Sequence, residues 1–331
     1  MAGWKRYSVG LIGFVCNLYA ESYTLGHGVQ MNDWMSVGGY FSSELESNRN
    51  EDSFTLDDVA VMAYGDINPM LSYLAELEAT GFYQKNFTAD TESGSQKFHF
   101  ERMYGDLWLC DAYNVRFGKM LTPVGYWNLE PINVLRDTTS NPLYSTLLFP
   151  RFLTGIDING YVPNTEGLKY NLFGQSTHDL DEEYINIPNT HFYGLSLDKE
   201  FSMEASAGGS IGEYIALSTR ERTRFVQANA KYDVYQWGVT VEGIVARTDY
   251  ADNRTDDTIS GYAQGIYRFN PQHALVGRYE YYGRRHDDYT DHIGIIGYSY
   301  RPIYPVSLKG EYQWHSQSGE DRFLASFSVL F

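Results

Sequence analysis

The chain has 331 residues, with 42 acidic against 25 basic side chains and a formal charge of −17. An apolar content of 43 %, including 29 Tyr and 18 Phe, is enough for a large folded structure and excludes wholesale disorder. The charge opposes nucleic acid as a partner, and the lack of any run of 18 apolar residues excludes a membrane-spanning helix. A membrane β-barrel is not excluded, because half-apolar strands barely register on a hydropathy average.

Residues 1–20 read as a secretory signal. Lys5 and Arg6 give a positive start, Val9 to Val15 an apolar core, and Leu18-Tyr19-Ala20 a cleavage site. The alternative is an N-terminal strand of the fold. Cleavage would remove Lys5 and Arg6, moving the charge from −17 to −19, and would remove Cys16. Cys110 would then be the single thiol, so no intrachain disulfide can form. Residues 21–33 form a lead-in, and the folded body is expected over 34–331.

Period-two alternation, the strand period, dominates that body. Val226, Ala228, Ala230 and Tyr232 alternate with Phe225, Gln227, Asn229 and Lys231. Val306, Leu308, Gly310, Tyr312 and Trp314 alternate with Ser307, Lys309, Glu311, Gln313 and His315. The pattern predicts sixteen strands, near 34–43, 54–64, 70–83, 98–110, 114–120, 153–162, 167–175, 190–198, 202–211, 223–231, 237–246, 258–268, 273–283, 291–299, 306–314 and 322–331. A count of about 14 to 18 fits within boundary error. The connections alternate in character. Short, turn-rich ones (Gly65 to Pro69, Asp111 to Tyr113, Pro163 to Glu166, Pro302 to Pro305) take turns with longer, mostly acidic ones at 44–53, 84–97, 121–152, 176–189, 212–222, 247–257, 284–290 and 315–321. An all-β, antiparallel transmembrane barrel obeys this parity, with short periplasmic turns and long extracellular loops. A soluble sandwich has no reason to.

Two resemblances sharpen the expectation. Phe323, Ala325, Phe327, Val329 and Phe331 alternate to the last residue. This resembles the final strand of bacterial outer-membrane barrels, where a terminal aromatic is the family's assembly signal. Residues 98–125 are similar to the porin superfamily that includes the phosphate-selective porins O and P. The likeness rests on an aromatic strand, the turn Asp111-Ala112-Tyr113, then Arg116-Phe117-Gly118-Lys119 and Pro123-Val124-Gly125. It covers about a tenth of the chain. The phosphate-selective members line their pore with many Lys and Arg, whereas this chain is acidic, so phosphate selectivity is not implied. The resemblance implies a Gram-negative outer-membrane location, with lipid as the surrounding partner, and a homotrimer.

A barrel of about sixteen strands encloses water, and a charge on its lipid face costs about 2–4 kcal/mol at mid-membrane. Mid-strand charges are therefore expected to point inward. Parity gives a pore-lining set of Glu76, Glu78, Arg102, Asp106, Arg116, Lys169, Lys231, Glu242, Arg268, Arg278, Glu280, Lys309, Glu311 and Arg322. The alternative role for any of them is a lumenal pair that only keeps the wall wet. The longest connection, 121–152, carries Glu130, Arg136, Asp137 and Arg151 and is pinned by Pro123, Pro131, Pro142 and Pro150. Its length and packing residues predict a constriction loop folded into the lumen. An external loop on the barrel rim is the alternative.

The eight histidines are scattered, without a nucleophile and a third orienting group nearby. No metal-ligand cluster or phosphate loop is evident. The sequence therefore predicts a porin rather than an enzyme, needing no cofactor. Small hydrophilic solutes or ions would diffuse passively through a water-filled lumen, with a weak cation preference. A solute-specific channel, an outer-membrane enzyme and a structural barrel with a closed lumen remain the alternatives.

Overall fold

The computed structural model describes residues 25–331 apart from 183–185, 287 and 318; the predicted signal segment lies outside them. Sixteen antiparallel strands close into a barrel. They are β1 (Met35–Asn48), β2 (Asp52–Asn68), β3 (Leu71–Thr80), β4 (Lys97–Cys110), β5 (Tyr113–Leu121), β6 (Phe152–Tyr161), β7 (Leu168–Gln175) and β8 (Asn189–Glu200). They continue as β9 (Ala205–Ala216), β10 (Arg222–Asp233), β11 (Trp237–Asp249), β12 (Thr255–Asn270), β13 (His273–Arg284), β14 (Tyr289–Tyr300), β15 (Val306–His315) and β16 (Arg322–Leu330). Each strand pairs with the next, and β16 returns to β1 in register from Arg322 opposite Asn48 to Leu330 opposite Tyr40. Phe331 extends that seam, its N–H donating to the Gly39 carbonyl at 2.7 Å and its carbonyl accepting from the Gly39 N–H at 2.8 Å.

Alternation sorts the two faces. On β11, Val239, Val241 and Val245 are 45–53 % exposed, while Glu242, Ile244 and Ala246 are at most 2 % exposed. On β15, Leu308, Tyr312 and Trp314 are exposed, and Lys309, Glu311 and Gln313 are buried. The exposed face is the apolar one, the inverse of a water-soluble protein and the arrangement that lipid requires. Exposed aromatics band both ends of the wall, with Trp237, Phe269 and Tyr298 at one and Tyr279, Tyr289 and Trp314 at the other. Such girdles mark the two membrane interfaces.

The short turns share one end, for example Pro69-Met70, Asp111-Ala112 and Pro271-Gln272. The opposite end carries 81–96, 122–151 and 176–188. Segment 81–96 includes a hairpin (Tyr83–Asn86 and Thr91–Ser93) that pairs with Ser53 to Leu56 of β2. Here the strands run further than alternation predicted. The expected loops 44–53, 212–222, 247–257 and 284–290 shrink to 49–51, 217–221, 250–254 and 285–288. Polar residues above the membrane still pair, as Glu44 does with Thr55 and Glu46 with Ser53. The expected strand 202–211 starts instead at Ala205, because Phe201 to Glu204 form the turn.

Replacing lipid-facing Val241 by Lys should cost about 2–4 kcal/mol in urea unfolding from lipid vesicles, while Val241→Leu stays near zero. Equal stability of the two variants would mean that this face does not meet hydrocarbon.

Candidate functional site

The site is the filled interior. Each of the predicted wall residues projects from the inner face, and almost all are tied to a partner. Glu76 accepts a hydrogen bond from Arg102. Arg116 forms a fork with Asp106 at 2.7 and 2.9 Å. Arg278 pairs with Glu280 at 2.8 Å. Arg268 binds Asp233 at 2.8 Å. Lys169 binds Glu200 at 2.6 Å near the short-turn rim. Arg322 donates to Gln313 at 2.8 Å and lies 3.8 Å from Glu46. Glu78 is 2 % exposed on the same wall as Glu76. These charges are mostly buried rather than bathed in water: Glu76 is 0 %, Glu242 1 %, Arg278 3 % and Lys309 5 % exposed.

What covers them is segment 122–151. It contains two single turns of 3-10 helix, Trp127–Leu129 and Asn133–Leu135, and a short helix, α1 (Leu143–Leu147). So irregular a backbone has few partners of its own, and three wall glutamates on alternate strands supply them. Glu242 of β11 accepts from the N–H groups of Tyr126 and Trp127, both at 2.8 Å. Glu280 of β13 accepts from Leu143 N–H at 2.9 Å. Glu311 of β15 accepts from Thr139 and Ser140 N–H at 2.8 and 3.2 Å. Wall cations bind the opposite polarity. Arg278 donates to the hydroxyls of Thr138 and Ser140 at 2.8 and 2.6 Å. Lys309 donates to the carbonyls of Asn133 and Thr138 at 2.8 and 3.0 Å. Arg301 reaches the carbonyls of Leu135 and Arg136 at 3.1 and 2.7 Å and the Asp137 carboxylate at 3.3 Å.

Glu242 is the densest of these knots. Besides the two N–H groups it accepts from the hydroxyls of Tyr144 at 2.8 Å and Tyr262 at 2.5 Å. Gly125 makes the approach feasible. Its φ of +70° suits glycine, and a Cβ there would collide with the Glu242 carboxylate and the Tyr144 hydroxyl. Around the knot, Trp127, Tyr144, Phe149, Phe173, Phe192, Phe225 and Tyr262 form one buried cluster. Two cavities flank it on the inner face. One of about 60 Å³ toward the short-turn end is lined by Glu130, Asp137, Lys231, Thr240, Tyr262 and Arg268. Another of about 200 Å³ toward the long-loop end is lined by Leu148, Tyr214, Ala246, Asp256, Tyr282 and Arg284. Along β11 the inward residues run Thr240, Glu242, Ile244, Ala246, so the knot lies between the cavities.

Of the four charges expected in the loop, Arg136 is 6 % exposed and donates to the Glu130 carbonyl and to Asn141. Asp137 meets Arg301, and Glu130 lies 3.8 Å from Lys231. Arg151 sits over the Phe152 ring, 5.5 Å from its centroid. A second connection also folds in. Asp179 pairs with fully buried Lys119 at 3.0 Å, and Asp181 meets His99 at 3.1 Å.

Parity missed Tyr40, Glu101 and Arg301. Tyr40 donates to Glu101 at 2.7 Å beside Glu76 and Glu78. A register shift between Glu76 and Leu77 marks a bulge opposite them that turns both Glu101 and Arg102 inward. Strict alternation cannot place neighbours on one face. Arg301 lies in the turn after β14, beyond any strand period. At the long-loop end, His315 meets Asp291 at 2.8 Å, but Ser316 donates to Asp291 rather than to the histidine. That order lacks the nucleophile-to-base bond of a hydrolytic triad.

No family model matches the sequence, and neither does any curated protein. Solved structures do match. An anion-selective porin from Comamonas acidovorans aligns with a TM-score of 0.64 at 12 % identity, over 90 % of this chain and 99 % of that one. The trimer form of OmpT, an outer membrane protein of Vibrio cholerae, gives 0.64 at 11 % identity over 90 % and 99 %. The outer membrane channel DcaP of Acinetobacter baumannii gives 0.63 at 10 % identity over 92 % and 99 %. Such identities speak for fold. The chain has the porin-type sixteen-strand barrel, and its apolar belt and closed sheet fit the Gram-negative outer membrane.

Glu242→Ala would strand two N–H groups and two hydroxyls, so it should cost about 2 kcal/mol or more. Amide exchange at Tyr126 and Trp127 should accelerate, while strand amides away from the knot stay protected. Unchanged exchange at those two amides would show that the glutamate does not hold the segment.

Proposed function

We propose that the chain is a passive outer-membrane channel for small hydrophilic solutes or ions, narrowed by segment 121–152 and working without catalysis or cofactor. The observation that carries this reading is the pair of cavities on the inner face, one on either side of the knot at Glu242 and the aromatic cluster around it. Joining them would complete a path from one end of the barrel to the other. The wall residues named above would line it, and Glu130 and Asp137 of the segment would face Lys231 and Arg268 across its narrow part. Opposed charges at such a constriction orient dipolar solutes and set ion preference. The acidic balance of the chain, 42 acidic against 25 basic side chains, supports a weak cation preference. The fold also supports a homotrimer, since one of the similar structures is a trimer form.

Phosphate selectivity is not part of this reading. Arg116 and Lys119 of the motif shared with the phosphate-selective superfamily are bound to Asp106 and Asp179. A second reading, a structural barrel with a closed lumen, is favoured by one observation: the wall charges under the segment are nearly all out of contact with solvent. Conductance separates the two. In planar bilayers the intact chain should show small discrete steps, and removal of residues 126–149 should enlarge them severalfold. Absence of steps from the intact chain would favour the closed barrel. Reversal potentials in a KCl gradient should show cation preference, and a clear anion preference would refute it.

A further inference from the structure

The cavity toward the long-loop end has two unlike sides. One is the inner face of β9 to β12, where Tyr214, Thr223, Thr248 and Asp256 stand in direct register across four strands. They set three hydroxyls and a carboxylate in one row along the lining. The Thr223 and Thr248 hydroxyls are bonded to each other at 2.9 Å. One of the two donates, so the other keeps its hydrogen, and both keep acceptor lone pairs. One row nearer the knot, Thr258 lies opposite Arg284 of β13. The other side is apolar. It consists of Leu147 and Leu148 from the segment and Ile187 from the second connection that folds in. Leu148 and Ile187 pack on the aromatic cluster around the knot, which fixes their place.

The charges narrow the choice of ligand. Asp256 accepts from Arg284 Nε at 3.3 Å and from the His286 N–H at 2.9 Å, and it is 3 % exposed. Within the lining, Glu221 and Asp256 face the single cation Arg284, which tells against an anion. The Tyr250 ring already carries the Arg254 guanidinium, 5.5 Å from its centroid, which tells against a cation held among the rings. An ion of either sign would gain nothing from the leucines. A hydrocarbon would leave the hydroxyl row and the carboxylate unpaired, which is costly. A neutral molecule with one apolar face and a polar edge satisfies both sides.

We infer that this cavity is a subsite for one neutral pyranose ring, with the C–H face of the sugar against Leu147, Leu148 and Ile187 and its hydroxyl edge along the row from Tyr214 to Asp256. A volume of about 200 Å³ has room for one six-membered ring with its hydroxyls and not for two. Asp256 and Arg284, an acceptor and a donor side by side, suit two neighbouring hydroxyls of the ring. Tyr282 of β13 closes the end of the slot with an apolar ring and a polar tip. The assignment deepens the channel reading and rests on it for its role, since the sugar would be held on the long-loop side before it meets the knot.

Saturation-transfer NMR on the full-length protein in detergent micelles tests this, with methyl α-glucopyranoside as probe. The ring protons of the glucoside should receive saturation. Sorbitol, which has the hydroxyls but no closed ring, should receive about fivefold less. Tyr282→Ala and Asp256→Asn should each raise the dissociation constant about fivefold or more. Tyr235→Ala, which removes an exposed ring at a short turn, should change nothing. Heat-dependent electrophoretic mobility reports folding of each variant, and if Tyr282→Ala fails to fold, the nearly isosteric Asp256→Asn decides. Equal saturation of sorbitol, or glucoside binding untouched by Asp256→Asn, would overturn the assignment. So would stronger binding of glycine betaine, which would make the tyrosines a cage for a quaternary ammonium. The measurement needs no current. Glucoside binding by a barrel without conductance steps would sink the channel reading and leave the subsite standing, and steps without glucoside binding would do the reverse.

Discussion

A backbone in hydrocarbon has no water to satisfy its N–H and C=O groups, so a sheet can cross only if it has no free edge. The seam between β16 and β1 meets that demand, and Phe331 extends it by one residue onto Gly39. Closure then fixes much else. It makes one face of every strand lipid-facing and the other inner, so alternation along the chain becomes a map of two environments. It also creates a problem of volume. A ring of sixteen strands is too wide for its own inward side chains to fill, and either water or another part of the chain must occupy the middle.

Here the chain supplies much of that filling, and the wall and the segment satisfy each other. A carboxylate buried without partners is costly, and so is an irregular backbone buried without acceptors. Glu242, Glu280 and Glu311 accept from five backbone N–H groups, while Arg278, Lys309 and Arg301 donate to hydroxyls and carbonyls of the same stretch. Neither set would be stable where it is without the other. Apolar packing around Trp127 and Tyr144 adds area but little direction, whereas the hydrogen bonds set which residue meets which strand.

The barrel was legible because its signal is repetitive. Period two, a parity of connections and a terminal aromatic all point one way, and a slip of a residue or two does not alter the count. The side of the sheet taken by mid-strand charges such as Glu242 and Lys309 was legible for the same reason, since a charge on the lipid face is costly. Glu101 and Tyr40 were not legible. The first was hidden by a bulge that breaks the period beside Glu76, and the second is an aromatic whose hydroxyl, not its ring, gives it a place inside. The burial of the wall was not legible either. Alternation says which way Lys309 points, but not that Asn133 and Thr138, more than 170 residues away in sequence, will cover it.

The knot and the cavity beneath it would act differently on an ion in a conducting barrel. The Glu242 carboxylate already accepts four short hydrogen bonds, so little of its charge is left to attract a passing cation. Trp127, with the guanidinium groups of Arg136 and Arg278 about 5 Å from its ring, adds bulk there rather than field. The cavity toward the short-turn end is otherwise. Lys231 and Glu130 stand 3.8 Å apart and are 36 and 52 % exposed, and Asp233 and Arg268 beside them are partly exposed as well. Charges that water can reach are the ones a hydrated solute can exchange contacts with. The knot would therefore set how large a solute passes, and the cavity below it would set which sign of charge is preferred.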